Sequence, residues 1–228
     1  MAQRCGSAAR VSTNGGHLPQ SDAPPPPADA VAALAGWLMQ DGPRNLLALG
    51  PLTNIAQLVQ AHPEAAARIT RLVWMGGSDG PGNHSPLAEF NALADPEAAA
   101  IVAEAGLPLD VIDLMICRQA VFGPADLPET DPLTADLLGG YLDIGLSRGR
   151  PGMAIYDPVA ALAMLRPEAF AFASRAMAVS TAGDGTYGAT RFTEDPQSRT
   201  RLATAPLEDL ARPCLDALRK EAPHGLSR

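Results

Sequence analysis

The chain predicts an α/β fold, an open and mostly parallel sheet with helices on both faces, and three observations carry that prediction. Short apolar runs ended by Gly or Pro, "NLLALG", "RLVWMGG" and "LPLDVID", alternate with longer Ala-rich segments of helical period. Strand, helix, strand in that order requires right-handed crossovers and a sheet covered on both faces. A chain of 228 residues, 46% of them hydrophobic, is long enough to bury such a core.

Each element follows from local chemistry. Residues 1–30 form an irregular Gly/Pro-rich segment, with Pro24 to Pro27 favouring extended backbone; residues 31–228 are read as the α/β domain. Val31, Leu34 and Leu38 mark the first helix. "NLLALG" (Asn45 to Gly50) is a buried strand stopped by Gly-Pro, and Thr53 to Gln60 opens a second helix. After the strand "RLVWMGG", Asp95 caps and Pro96 opens the helix "PEAAAIVAEAG", and "LPLDVID" is the third strand. "PLTADLLGGYLDIGLS" and "DPVAALAMLRPEAF" read as helices. "AMAVSTAG" and "GTYGATRF" read as a β-hairpin joined through Gly-Asp-Gly, with a helix beyond it at the C-terminal end.

Composition narrows the function. A net charge of −8 and a pI near 4.9, with no Lys/Arg cluster, exclude a nucleic-acid polymer as partner, because such affinity rests on grouped cations. Cys5, Cys117 and Cys214 are odd in number and widely spaced, fitting neither a disulfide framework nor a zinc site. No apolar run is long enough for a membrane span, and the first residues lack the apolar middle of a signal peptide, so the expectation is a cytoplasmic protein.

The stretch "MGGSDGPGNHSPLAEFNALADPEAA", Met75 to Ala99, concentrates short polar groups just past a buried strand. Ligands of α/β proteins bind beyond the carboxyl ends of strands. Asn83, Glu89 and Asn91 there offer amide donors and acceptors and a carboxylate, a set that suits a polyhydroxylated sugar better than a phosphate. His84 reads as a solvated rim residue. Asp113 suits either strand-end capping or a cation, and stays outside the candidate site.

"LLALGPLTNIAQLV", "RLVWMGG", a "GN" six residues before "EFN", "ADPEAA" and "YDPVAAL" stand in the order and spacing of one family. From about Leu46 to the C-terminal hairpin the chain resembles the inosine-uridine-preferring nucleoside hydrolases. The resemblance implies hydrolysis of the N-glycosidic bond of a ribonucleoside, with a calcium ion at the bottom of a ribose pocket and a calcium-bound water as nucleophile. It implies a homo-oligomer, dimer or tetramer. It places Asn83 and Glu89 on the 5′-hydroxyl side of the ribose, Asn91 at the lower hydroxyls, and Met75 in the pocket wall. Asp157 falls on a calcium ligand, a role compatible with capping the helix that follows. Cys117 falls on a position that gives calcium a backbone carbonyl, where this chain reads Met115-Ile116-Cys117 in place of the family's "DVT". Asn91, Asp157 and Tyr156 are the implied catalytic residues.

Two departures qualify what the resemblance implies. Members begin with an Asp-rich "DxDxGxDDA" segment carrying further calcium carboxylates and the general base, and nothing like it occurs here. "VSTNGGHLP" (Val11 to Pro19) resembles the remains of a later Gly-rich stretch, so the expectation is an N-terminally truncated copy with weak activity or none. Tyr156 stands where pyrimidine-accepting members carry a His that protonates the leaving base. A phenol is a poor acid near neutral pH but a good stacking partner, which points to purine nucleosides. The alternatives to an active hydrolase are a ribose- or nucleoside-binding paralogue that performs no chemistry, and a non-functional fragment.

Overall fold

The structure, a computed structural model, describes residues 29–219. Most of the predicted 1–30 segment, with Val11 to Pro19, therefore lies outside the described residues. In chain order the elements are α1 (Ala30–Leu38), β1 (Asn45–Ala48), α2 (Thr53–Ala61), α3 (Pro63–Ala66), β2 (Arg71–Met75), α4 (Phe90–Ala94), α5 (Pro96–Glu104), β3 (Leu109–Ile112) and α6 (Leu114–Cys117). There follow β4 (Val121–Phe122), α7 (Pro132–Ser147), β5 (Met153–Ala154), α8 (Asp157–Leu165), β6 (Phe170–Val179), β7 (Thr190–Glu194), β8 (Thr200–Pro206) and α9 (Ala211–Asp216).

Six strands make one sheet in the order β1-β2-β3-β8-β6-β7. β1, β2, β3 and β8 run parallel, while β6 is antiparallel to both β8 and β7. The open, mostly parallel α/β sheet expected from the sequence is what forms, with the β6–β7 hairpin and α9 completing it. The sequence reading left β8 unassigned, because "TRLATAP" has neither an apolar run nor aromatic residues. Its strand character comes from docking between β3 and β6, which buries Thr200, Leu202 and Ala203. α8 also stops earlier than the predicted helix: the residue before Pro167 is pushed out of helical backbone, Arg166 lies at φ −135°, and Phe170 already begins β6.

The strand pleat divides the core into two. Leu72 and Trp74 of β2 pack with α1, α2 and α5 on one face, and Val73 and Met75 pack with α6, α8 and α9 on the other. Met75, the last residue of β2, thereby reaches the carboxyl edge on the α8 side. At the opposite end of the strands, Asp110 on β3 accepts from Arg71 Nε at 2.7 Å and from Arg201 Nε at 2.6 Å. Arg71 also donates to the carbonyls of Ala163 (2.9 Å) and Met164 (3.1 Å), closing the C-terminal end of α8. The helix that presents Asp157 is therefore tied to the sheet from below.

Candidate functional site

Beyond the carboxyl end of β2 the chain leaves a cleft of about 470 Å³, of the size that takes a small ligand. Its floor and walls come from β2 (Met75), the loop to α4 (Asn83), the first turn of α4 (Glu89, Asn91) and the entry to α8 (Tyr156, Asp157). Residues that stand 82 positions apart in sequence, Met75 and Asp157, thus meet where the strand order would place a ligand.

Glycine makes the exit from β2 possible. A Cβ on Gly76 would lie 2.2 Å from the Trp74 indole, so only glycine passes there. Gly77 follows at φ +71°, a conformation that side chains disfavour. The peptide N–H of Gly77 then donates to Glu89 Oε2 at 2.9 Å. Glu89 is only 2% exposed and caps α4: Oε1 accepts from Asn91 N–H (2.9 Å) and Oε2 from Ala92 N–H (3.1 Å) as well. Burial raises its pKa above the ordinary carboxylate value, and these amide bonds oppose the rise. Glu89 is at once a cap, a clamp on the Gly77 loop and part of the cleft wall.

Asn91 donates Nδ2 to the Met75 carbonyl at 2.9 Å, and no described protein group bonds its Oδ1. Asn83 accepts from Phe90 N–H at 3.0 Å and keeps its own amide protons for the cleft. His84 sits on the exposed rim against the Phe90 ring, centroids 5.5 Å apart, as the sequence reading had it. Asp113 is the N-cap of α6: it accepts from Ile116 N–H (3.0 Å) and Asp79 N–H (2.7 Å), as its capping reading expects.

Asp157 behaves differently from the other carboxylates. The capping role considered for it is not taken up, since Tyr156 occupies the cap position of α8 without a side-chain bond and Asp157 is the first helical residue. Asp157 is exposed, its oxygens have no hydrogen-bond partner among the described residues, and partial desolvation raises its pKa. Beside it stands an aromatic wall. Tyr141, on α7, stacks on Phe122 at 6.3 Å and donates its hydroxyl to the Ala154 carbonyl at 2.8 Å. Burial, reinforced by Tyr156, pushes the Tyr141 phenol up to about 12. Its hydroxyl stays protonated and the wall neutral.

Met75, Asn83, Glu89, Asn91, Tyr156 and Asp157 therefore share one cleft. Cys117 does not join them. It is fully buried beneath the cleft, its Sγ is 3.8 Å from the Tyr156 carbonyl, and its own carbonyl accepts from Ala120 N–H at 3.0 Å. That bond engages one of the two lone pairs of the Cys117 carbonyl. The sequence reading missed Leu49, Phe90, Phe122 and Tyr141 as cleft residues. Leu49 directly follows the first strand run and Phe90 lies inside "EFN", so position within the motifs was a usable signal for both. Phe122 and Tyr141 carry none, because they reach the cleft from a two-residue strand and an amphipathic helix.

The two most specific motifs meet physically. The Thr53 hydroxyl of "GPLTNIA" donates to the Asp95 carboxylate of "ADPEAA", whose other oxygen caps α5 by accepting from Ala98 N–H at 3.0 Å.

Among the described residues, no three His, Cys, Asp or Glu side chains converge as a metal-binding group. No described helix is long and apolar enough to cross a membrane.

Residues 6–211 match the family model described as inosine-uridine preferring nucleoside hydrolase. The chain is 42% identical over 151 residues to the non-specific ribonucleoside hydrolases RihC of Salmonella enteritidis and Salmonella typhi, matching 65% of this chain and 49% of each relative. It thus spans about half the length of the curated relatives it matches. Among solved structures it resembles a purine-preferring ribonucleoside hydrolase from Gardnerella vaginalis, with a TM-score of 0.81 at 23% identity over 91% of this chain and 72% of that one. The inosine-uridine preferring nucleoside hydrolase from Bacillus anthracis gives a TM-score of 0.65 at 25% identity, over 85% of this chain and 66% of that one.

Proposed function

The chain belongs to the inosine-uridine preferring nucleoside hydrolase family, and from that premise we propose that its cleft binds a ribonucleoside for hydrolysis of the N-glycosidic bond. The observation that carries the reading is the convergence of Asn83, Glu89, Asn91 and the partner-free Asp157 in one cleft with an aromatic wall. The free amide protons of Asn83 and the Asn91 Oδ1 suit ribose hydroxyls, with Glu89 holding both segments in place. Water adds to C1′, the C–N bond breaks, and the base leaves with its electron pair and takes up a proton. The ribose passes through an oxocarbenium-like state, which nearby carboxylate and amide oxygens stabilise.

Two tasks in the cleft ask for a free carboxylate: holding a cation and accepting the proton of the attacking water. Both fall to Asp157. For a hard oxygen donor of this kind calcium is the ion we propose, but it takes six to eight oxygens, and one free carboxylate among the described residues does not make a site for it. One carboxylate cannot do both tasks at once, so we expect the 228-residue chain by itself to turn over slowly; a nucleoside-binding protein without catalysis is the second reading that this observation favours.

Among the described residues no His lines the cleft, and Tyr156 stands beside Asp157. A purine, which leaves readily when protonated on its own ring, is the base we propose. A cytoplasmic homo-oligomer remains the family-based expectation for its setting. Calorimetry of the chain with inosine, adenosine and uridine, with and without calcium, tests the proposal. Purine nucleosides should bind more tightly than uridine, and calcium should change the affinity of this chain little, since one free carboxylate does not complete a site for it. No binding of any nucleoside would overturn the reading.

A further inference from the structure

The hairpin β6–β7 is remote from the cleft in sequence yet grips the backbone that builds it. Thr190, the first residue of β7, accepts from Ser78 N–H with its Oγ1 at 2.7 Å and returns the same hydroxyl's proton to the Ser78 carbonyl at 3.0 Å. This two-way bond closes a contact across 112 positions of chain. It fixes the peptide next to Gly77, whose N–H donates to Glu89. The contact is close as well as polar, since a Cβ on Gly77 would lie 3.0 Å from Thr190 Oγ1. Two further anchors hold the same loop from the α6 side, Leu114 N–H on the Gly77 carbonyl (2.9 Å) and the Asp113 carboxylate on Asp79 N–H (2.7 Å). Thr190 is the anchor that arrives from the other side. The end of the hairpin also touches α4 and α5: a Cβ on Gly188 would lie 2.6 Å from Leu93 Cα, and the Tyr187 hydroxyl donates to Glu97 at 2.9 Å.

We infer that Thr190 is a positioning residue for nucleoside binding, its hydroxyl holding the Gly77–Ser78 backbone so that Glu89 keeps the N-terminus of α4, and with it Asn91, in the geometry that receives the ribose. The inference rests on the proposed nucleoside-binding function. Neither the motifs nor the cleft lining contains Thr190, so it acts through Ser78, Gly77 and Glu89 and touches no ligand.

Thr190→Val keeps the shape and deletes the hydroxyl; Thr190→Ser restores the hydroxyl without the methyl. In the full chain, calorimetry with inosine should show binding about tenfold weaker for Thr190→Val, a part of what the two hydrogen bonds of its hydroxyl contribute, and near wild-type binding for Thr190→Ser. Amide exchange read by NMR should speed up at Gly77, Asn91 and Ala92 in Thr190→Val while the amides of α2 stay protected, and return in Thr190→Ser. Loss of affinity or of local protection that serine does not rescue would overturn the inference. Equal inosine affinity in wild type and Thr190→Val would overturn it too, as would a Thr190→Val protein that does not fold, which would assign the hydroxyl to the fold and not to the site. If wild-type protein does not bind inosine, the proposed function fails, and the exchange pattern alone then decides whether Thr190 positions Glu89.

Discussion

Two buried carboxylates with raised pKa values, Glu89 and Asp113, hold successive stretches of one loop, and this makes the protein's stability depend on pH in an unusual direction. A group that binds its proton more tightly when folded contributes stability below its unfolded pKa and loses that contribution as pH rises through the folded value. The ordinary values are 4.5 for Glu89 and 3.8 for Asp113, so the loss begins there and extends upward. Urea midpoints measured from pH 4 upward, as order-of-magnitude sampling of that window, should show wild type declining and Asp113→Asn declining less steeply. Parallel slopes would mean that Asp113 keeps an ordinary pKa. At the same scale, Tyr156→His would put an imidazole where the phenol stands, and uridine should gain turnover relative to inosine by roughly a hundredfold, the low end of the range for a positioned acid. An unchanged ratio of the two substrates would show that Tyr156 does not lie beside the base.

Elements in this protein are legible in sequence to the degree that their own residues form them. α1, α2, α5, α7 and the strands β1 to β3 carry their period, caps and stops locally, and Asp95 with Pro96 marks the start of α5 as the sequence reading had it. β8 could not be read this way, because its pairing with β3 and β6 supplies what its residues lack. The site divides on the same line. Asn83, Glu89 and Asn91 stand within nine residues of one another and were legible as a group, whereas Tyr141 enters through an unrelated helix. Cys117 entered through the family resemblance, for its backbone carbonyl, and its side chain is packed beneath the cleft. The Asp110 clamp is an element-scale feature that spacing does not reveal. Asp110 is 3% exposed in its side chain, and removing it leaves Arg71 facing a partly buried void with its charge uncompensated. Asp110→Ala should cost about 3 kcal/mol in urea unfolding, and it should loosen α8, which Arg71 caps. A cost below about 1 kcal/mol would mark the clamp as a surface pair.

For the whole molecule, the sheet is unequal at its two ends. β7 ends one side as the second strand of a hairpin and β1 ends the other as a parallel strand, and among the described residues neither has a strand on its outer edge. Leu47, on β1, is 38% exposed. An unpaired edge with an exposed apolar side chain is a template for pairing with another chain. Leu47→Lys should lower light scattering on heating while leaving the unfolding free energy within about 0.5 kcal/mol of wild type. Scattering that does not change would show that the edge is covered in solution.

The close approach of Gly76 to the indole of Trp74 has an optical consequence. The chain holds two tryptophans. Trp37 is 36% exposed, with the Arg44 guanidinium 5.0 Å above its ring, and should emit at long wavelength. Trp74 is fully buried, bonded through Nε1 to the Gly50 carbonyl at 3.0 Å, and should emit in the blue. It lies against the backbone of Gly76, the residue that follows Met75 of the cleft lining. The blue part of the emission spectrum should therefore shift or change in intensity as inosine fills the cleft, and with Trp37 replaced by Phe the titration is followed on a single fluorophore; an unchanged spectrum at saturation would show that this backbone does not move.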